Sequence, residues 1–150
     1  MRYAFPYSPS KAKILLLNGA DPNSIAADGI TPLVNLLQGI NNNLRGIKQN
    51  KMGEEENLRI SLKKLEILLS HGANPNMPVK EGKEIVYPLM NILYTPKSIA
   101  AATILFKFGA NPNLGKIHDD GCQTTPLMKA ALEPDLTMIY TPFLVHGESN

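Results

Sequence analysis

Apolar residues along the chain gather into short runs that each end at a glycine. The runs read KILLLN before Gly19, LEILLSH before Gly72, TILFKF before Gly109 and PFLVH before Gly147. Within them the apolar positions recur every three or four residues, as on one face of a helix. Glycine suits the left-handed backbone at a helix C-terminus, and the Asp-Pro or Asn-Pro that follows three of these glycines favours a turn. The pattern predicts helices that end in glycine turns.

A second pattern marks the starts of helices. Thr31, Tyr87 and Thr125 each precede a Pro-Leu pair. Proline fits the first helical position, and threonine is a good N-cap, whereas tyrosine is not. The two patterns alternate and predict a recurring unit of turn, helix, short link, second helix and glycine turn. Such a unit buries its apolar face only against neighbouring units, which indicates a stack of repeats.

At one point of the chain, successive copies of both patterns are separated by more residues than elsewhere. The polar stretch at 41–57, NNNLRGIKQNKMGEEEN, interrupts one repeat between its two helices. We predict a flexible loop over about 41–53 and then a second helix over about 54–71. The glutamates fall in its first turn, where the helix dipole favours negative charge. We interpret the stretch as a tolerated surface insertion, with a second docking element as the alternative.

Together these phrases resemble the ankyrin repeat. DGITPL at 28–33 is similar to the family's D-G-x-T-P-L phrase. GADPN at 19–23 and GANPN at 72–76 and 109–113 are similar to its L-L-x-x-G-A-D-x-N phrase. A single copy would be a weak signal, whereas joint recurrence of both phrases in step is a specific one.

The resemblance covers about residues 8–150, apart from the insertion at 41–57. It implies an all-α fold, an ankyrin-repeat solenoid of stacked antiparallel helix pairs with protruding turns, forming a single domain over 1–150. The family's histidine after Thr-Pro-Leu is absent here. The residues in its place are Val34, Met90 and Met128, so looser turns are expected.

The repeat pattern also predicts the core, because each helix pair must bury its aliphatic face against the next pair. Small residues next to the glycine turns and in the last helix allow close backbone approach. The predicted core residues are Leu15, Leu16, Leu33, Leu36, Leu65, Leu68, Leu69, Leu89, Ile92, Ile104, Leu105, Leu127 and Leu144, with Ala20, Ala73, Ala110 and Ala130 as the small ones.

Composition narrows the class of function. The chain has 150 residues and a net charge of +2, so it exerts no strong attraction on nucleic acid or on a membrane surface. Its single cysteine, Cys122, forms no internal disulfide and suits a reducing compartment. No run approaches the ~18 apolar residues of a membrane span. We expect a monomer that is cytoplasmic, or secreted into a host cell without a cleaved signal peptide, with no nucleic-acid or membrane partner.

The resemblance implies that a partner binds the protruding turns and the first helices on the concave side. Tyr94 is the predicted anchor, because aromatic residues dominate binding hot spots. The turn asparagines of the family are substrates of asparaginyl hydroxylation in animal cells, which implies Asn23, Asn76 and Asn113 as candidate positions. The implied partner-binding residues are Asp28, Ile30, Gln38, Lys80, Glu81, Lys83, Glu84, Tyr94, Lys116, His118, Asp119, Asp120, Gln123 and Lys129.

One turn carries residues of chemical interest. His118 and Cys122 flank Asp119 and Asp120, which leaves a small metal-dependent or thiol site as the alternative function. Two soft ligands fall short of the four of a zinc site, and nothing in the sequence orients His118 as a base for Cys122. We predict no catalytic, cofactor-binding or metal-binding residue.

The sequence therefore predicts a non-enzymatic protein–protein interaction module that binds a partner protein on its concave turn and helix face. The chain is rich in Asn, Ile and Lys, its repeats differ in length, and its N-terminus does not read as a classical signal. From these features we hypothesise a host-directed effector of an intracellular microbe, whose partner is a host protein.

Overall fold

The structure is a computed structural model that describes residues 9–45, 51–93 and 98–132. Helices and strands alternate in groups along the chain. In order they are α1 Pro9–Leu17, α2 Pro32–Arg45, α3 Lys51–Ser70, β1 Val79–Glu81, β2 Glu84–Val86, the 3-10 helix Pro88–Ile92, α4 Ile99–Lys107, β3 Lys116–Ile117, β4 Gln123–Thr124 and α5 Pro126–Leu132.

The helices pack in two rows. The second helices of successive repeats lie side by side, with α3 in contact with both α1 and α4. The first helices form the other row, in which α2 contacts the 3-10 helix. Helix α2 also packs on α3, and the 3-10 helix on α4, so the apolar core lies between the rows.

The prediction of an all-α fold was wrong, because the protruding turns form a sheet. Strands β1 to β4 pair in chain order as one antiparallel sheet, which we call the finger sheet. The first hairpin reverses at Gly82 and the second at Gly121, both with positive φ. β-branched residues flank these glycines, as in Ile85 and Ile117, and they favour extended backbone. The turns are long enough for two hairpins, and the fold is mixed α and β.

The two hairpins join through β2 and β3. Ile85 pairs with Ile117 and Val86 with Lys116. The ladder continues one step further, where the N–H of Tyr87 donates to the carbonyl of Gly115 at 3.0 Å. Two protruding turns are therefore held as one surface rather than as separate loops.

The predicted helix ends are confirmed at three glycines. Gly19, Gly72 and Gly109 have φ values of 93°, 98° and 92°, in the left-handed region. After each, the next alanine N–H bonds back to the last helical turn, as Ala73 does to the carbonyl of Leu68 at 3.0 Å. This closes the exposed carbonyls of the helix end. Gly147 lies outside the described residues.

The predicted helix starts are confirmed as well. Pro32, Pro88 and Pro126 are the first residues of their helices. The hydroxyl of Thr31 accepts the N–H of Val34 at 3.3 Å, and that of Thr125 accepts the N–H of Met128 at 3.2 Å. The 3-10 helix has no side-chain cap at Tyr87, as expected for tyrosine.

Most of the predicted core is buried. The largest group comes from α2, α3 and α4, and Val34 and Met90 join it at 0% and 2% exposure. These two stand at positions where the family has histidine, whereas Met128, at the third such position, is 54% exposed. Buried predicted residues are Leu33, Leu65, Leu68, Leu69, Leu89, Ile92, Leu105, Ala73, Ala110 and Ala130, while Leu16, Leu36 and Ile104 are partly buried against them.

The core prediction was wrong at both ends of the described stack. Leu15 is 40% exposed and Leu127 is 48% exposed. They belong to α1 and α5, the first and last described helices, and a terminal layer has a neighbour on one side only. Ala20 is half-buried, and Leu144 lies outside the described residues.

The stretch at 41–57 is more helical than predicted. Helix α2 continues through 41–45 and α3 already begins at Lys51, so the predicted loop over about 41–53 was wrong at both ends. Ile40 and Asn41 are buried, which anchors the last part of α2. Residues 46–50 lie outside the described residues. No described helix is both long enough and apolar enough to cross a bilayer.

Candidate interaction surface

Asparagine side chains bridge successive glycine turns. Nδ2 of Asn23 donates to the carbonyl of Gly72 at 2.9 Å, and its Oδ1 accepts the N–H of Asn74 at 2.7 Å. Each bridge therefore uses both the donor and the acceptor of one amide. The bridge ties the first turn to the second, across 49 residues of sequence.

The same bridge recurs one repeat later. Nδ2 of Asn76 donates to the carbonyl of Gly109 at 3.0 Å, and its Oδ1 accepts the N–H of Asn111 at 2.8 Å. Asn113 holds the equivalent place in the next turn, and its counterpart Gly147 lies outside the described residues. These amides tie the turns together although the family's histidine is absent, and whether the turns are looser stays a prediction. Hydroxylation of the three asparagines stays a prediction.

Within each turn, the first polar residue folds the backbone onto itself. The side-chain oxygens of Asp21, Asn74 and Asn111 each accept a backbone N–H two residues on, all at 2.9 Å. This short turn explains why Asp or Asn precedes the proline in all three copies. The bridging asparagine is thereby presented to the next turn in a fixed direction.

The finger sheet sorts the predicted partner-binding residues onto two faces, because side chains alternate along a strand. One face carries Glu81, Glu84, Lys116, His118 and Thr124. The other face carries a row across all four strands, formed by Lys80, Ile85, Ile117 and Gln123. Of these positions, the sequence assigned Lys80, Glu81, Glu84, Lys116, His118 and Gln123 to one partner-binding set, whereas a single partner on one side contacts only part of it. Ile85, Ile117 and Thr124 were not among the predicted residues.

The first face looks toward α2. Nε2 of Gln38, on α2, donates to Oε1 of Glu81 at 3.3 Å. This bond joins the first helix of one repeat to the tip of the neighbouring hairpin. The face with Glu81 therefore lies on the side of the sheet toward α2, and partner binding by Gln38 and Glu81 stays a prediction.

Glu84 is the centre of a charged cluster that spans both hairpins. Its Oε2 lies 2.5 Å from Nζ of Lys116, and its Oε1 lies 3.2 Å from Nδ1 of His118. Hydrogen bonds from Lys116 and then His118 hold the pKa of the Glu84 carboxyl below its ordinary value of 4.5. Nε2 of His118 lies 2.8 Å from Oγ1 of Thr124. Charges predicted to meet a partner thus meet one another across the two hairpins.

The tips of the hairpins carry a weaker contact. Nζ of Lys83 lies 3.5 Å from Oδ2 of Asp119, with side chains 80% and 64% exposed. Exposed pairs of this kind contribute ~0–1 kcal/mol to stability. Breaking this contact therefore costs little free energy, so both side chains can contact a partner instead.

Other predicted residues shape their own turns. Oδ1 of Asp28 accepts the N–H of Ile30 at 3.2 Å, and Ile30 packs partly buried against the core. Oδ1 of Asp120 accepts the N–H of Cys122 at 2.9 Å, and this backbone hydrogen bond lowers the pKa of the Asp120 carboxyl.

The remaining predicted residues differ in exposure. Lys80 and Gln123 are exposed, and Lys129 is half-buried on α5. Tyr94, the predicted anchor, lies outside the described residues.

The geometry around His118 differs from the predicted alternative site. Its ring contacts Glu84 and Thr124, while Cys122 is exposed in the same hairpin. Within the part of the chain that the structure describes, no group of three or more His, Cys, Asp or Glu side chains could hold a metal ion. Sequence reasoning missed Thr124 altogether, because only the pairing of β3 with β4 brings it beside His118.

No family model matches the chain, and no curated protein matches it either.

Proposed function

We propose that the chain is a repeat protein of the ankyrin kind that binds a partner protein on the groove formed by α2 and the finger sheet. The support begins with the recurrence of both sequence phrases in step with the helix starts and glycine turns. The finger sheet then presents charged and polar side chains on a backbone that is tied by strand pairing and by the asparagine bridges. A preordered surface loses less conformational entropy on binding.

The observation that carries the proposal is the bond from Gln38 to Glu81 beside the Glu84–Lys116 pair. The bond joins α2 to the first hairpin, and the ion pair joins the first hairpin to the second. The mixed signs of these charges favour a protein partner with complementary charges of both signs, since nucleic acid selects a uniformly basic surface. We also propose that the chain is an effector of an intracellular microbe and that this partner is a protein of the host cell.

The test compares two matched variants in affinity capture with quantitative mass spectrometry. The groove variant combines Gln38→Ala, Glu81→Ala and Lys83→Ala. The control combines Lys63→Ala and Glu66→Ala on the exposed face of α3. A true partner is captured by the wild-type chain and by the α3 control, and is lost with the groove variant.

If no captured protein is lost with the groove variant, and all are retained equally by the three chains, binding in the groove is contradicted. Lysates of host cells and of the microbe are compared in parallel. Partners found only in the microbial lysate would contradict the host-directed part and leave the groove proposal standing.

A further inference from the structure

A carboxylate, an imidazole and a hydroxyl form a connected row on the face of the finger sheet that also carries Glu81. Nδ1 of His118 lies 3.2 Å from Oε1 of Glu84, and Nε2 lies 2.8 Å from Oγ1 of Thr124. Both ring nitrogens are thereby held in place. This order of groups, with the base held between an orienting acid and a hydroxyl, is the arrangement that activates a hydroxyl as a nucleophile.

The charges of the row suit these roles. Glu84 is held ionised by its bonds with Lys116 and His118. An ionised carboxylate only accepts hydrogen bonds, so it fixes the proton of the neutral ring on Nδ1. Nε2 is then unprotonated and faces the hydroxyl of Thr124, whose proton it can take.

The row is accessible from solvent. The side chains of His118 and Glu84 are 35% and 33% exposed, and Thr124 is half-buried on β4, the edge strand of the described sheet. Lys116 pairs opposite Thr124 on the neighbouring strand, and its Nζ contacts Oε2 of Glu84, so it helps to hold the carboxylate that faces His118.

We propose that Thr124 is an acyl-accepting site that reacts with small activated esters. Oγ1 of Thr124 attacks the ester carbonyl carbon while Nε2 of His118 takes the hydroxyl proton. The bond from the carbonyl carbon to the leaving oxygen breaks, and the leaving group departs as an alcohol or phenol with that proton. The products are O-acylated Thr124 and the free alcohol or phenol. The reaction needs no further reactant and no partner protein, so it stands apart from the proposed binding function.

The test uses the full chain with 4-nitrophenyl acetate. The expected result is release of 4-nitrophenol together with an acetyl group mapped to Thr124 by peptide mass spectrometry. Thr124→Val keeps the shape of the side chain, removes the hydroxyl and abolishes that adduct. His118→Ala slows labelling of Thr124 by about 100-fold, the lower end for a general base, and added imidazole restores it.

Two comparisons separate chemistry from structure. Thr103→Val is the matched control, because the exposed Thr103 hydroxyl donates to the carbonyl of Ile99 rather than facing a histidine. Labelling of Thr124 is then unchanged. Glu84 is a positioning residue that acts through His118. Glu84→Gln therefore slows labelling in the wild-type chain and adds no further loss to His118→Ala.

Acetyl groups found only on lysines or on His118 itself would overturn the proposal. Equal labelling of Thr124 in the wild-type chain and in His118→Ala would do so too. Circular dichroism of each variant shows whether it is folded, and Thr124→Val supplies a second test if His118→Ala is not. Either result leaves the capture experiment on the groove unaffected.

Discussion

The side-chain amide of Asn76 bonds to Gly109 and thereby joins two successive repeats. Aspartate at this position keeps the size but loses the donor, and it sets a carboxylate oxygen against the carbonyl of Gly109. We expect Asn76→Asp to lower the free energy of unfolding by about 1–3 kcal/mol, the penalty for an unsatisfied or opposed polar group. Urea unfolding followed by circular dichroism measures the change.

Asn57→Asp supplies the control, because Asn57 is exposed on α3. A surface change of this kind stays within about 0.5 kcal/mol. If both variants unfold at the same urea concentration, the bridge between the turns contributes no stability.

The ends and starts of helices could be predicted from the sequence because their causes are local. Gly72 ends α3 through its own backbone freedom, and Pro126 begins α5 through its fixed φ. Each signal lies within a few residues of the structure that it produces. The same holds for the short turn that Asn74 forms with Asn76.

The finger sheet could not be predicted in this way. Its strands have only two or three residues, too few for a period of two to stand out. The pairing of Ile85 with Ile117 joins segments from different repeats, so no local pattern encodes it. The resemblance to a helical repeat then favoured an all-α fold over a mixed one.

The candidate site was predicted residue by residue but not as an arrangement. Glu84, Lys116 and His118 were all assigned to a partner, yet they contact one another. Their meeting depends on the register of β2 against β3. Thr124 was not considered, since a threonine in a turn has no distinctive signature until a histidine is found beside it.

Gly115 has no room for a side chain. A Cβ built there would lie 1.9 Å from the carbonyl oxygen of Thr124, which belongs to the backbone and cannot move away alone. We expect Gly115→Ala to separate β3 from β4 and to lower the free energy of unfolding by about 3 kcal/mol, the upper end for overpacking. Thermal unfolding measures the loss of stability, and hydrogen exchange at His118, whose N–H donates to the carbonyl of Cys122 in this hairpin, measures the separation of the strands.

Gly39→Ala is the matched control for this substitution. Gly39 lies within α2, and a Cβ there meets no atom within 4 Å. Alanine in a helix is favoured over glycine by roughly 0.5–1 kcal/mol, so this variant should be more stable than the wild-type chain. A destabilised Gly39→Ala, or a neutral Gly115→Ala, would contradict the packing described for these positions.

The Glu84 cluster makes stability depend on pH. The pKa of the Glu84 carboxyl is lowered in the folded chain, first by Lys116 and then by His118. Because the unfolded carboxyl binds its proton at higher pH, the cluster stabilises the fold fully above about pH 4.5, and the contribution is lost as the pH falls through the lower folded-state pKa. Urea midpoints of the wild-type chain and Glu84→Gln should therefore differ at pH 7 and converge at acid pH.

Glu66→Gln, at an exposed position on α3, controls for the loss of a negative charge. Its midpoint should follow that of the wild-type chain more closely than Glu84→Gln does at pH 7. A gap between wild type and Glu84→Gln that stays constant from pH 7 down to acid pH would show that the ionised carboxylate is not the source of the stability.

Leu68 and Leu15 were both assigned to the core from the same helical pattern, and the structure separates them. Leu68 is fully buried between the rows of helices, whereas Leu15 is 40% exposed. Truncation of Leu68 removes buried methyl groups and leaves a cavity, so Leu68→Ala should lower the free energy of unfolding by about 2–5 kcal/mol. Leu15→Ala should lower it by clearly less, because part of that side chain is already in water. Urea unfolding of the two variants in parallel decides the point, and equal losses would place Leu15 in the core after all.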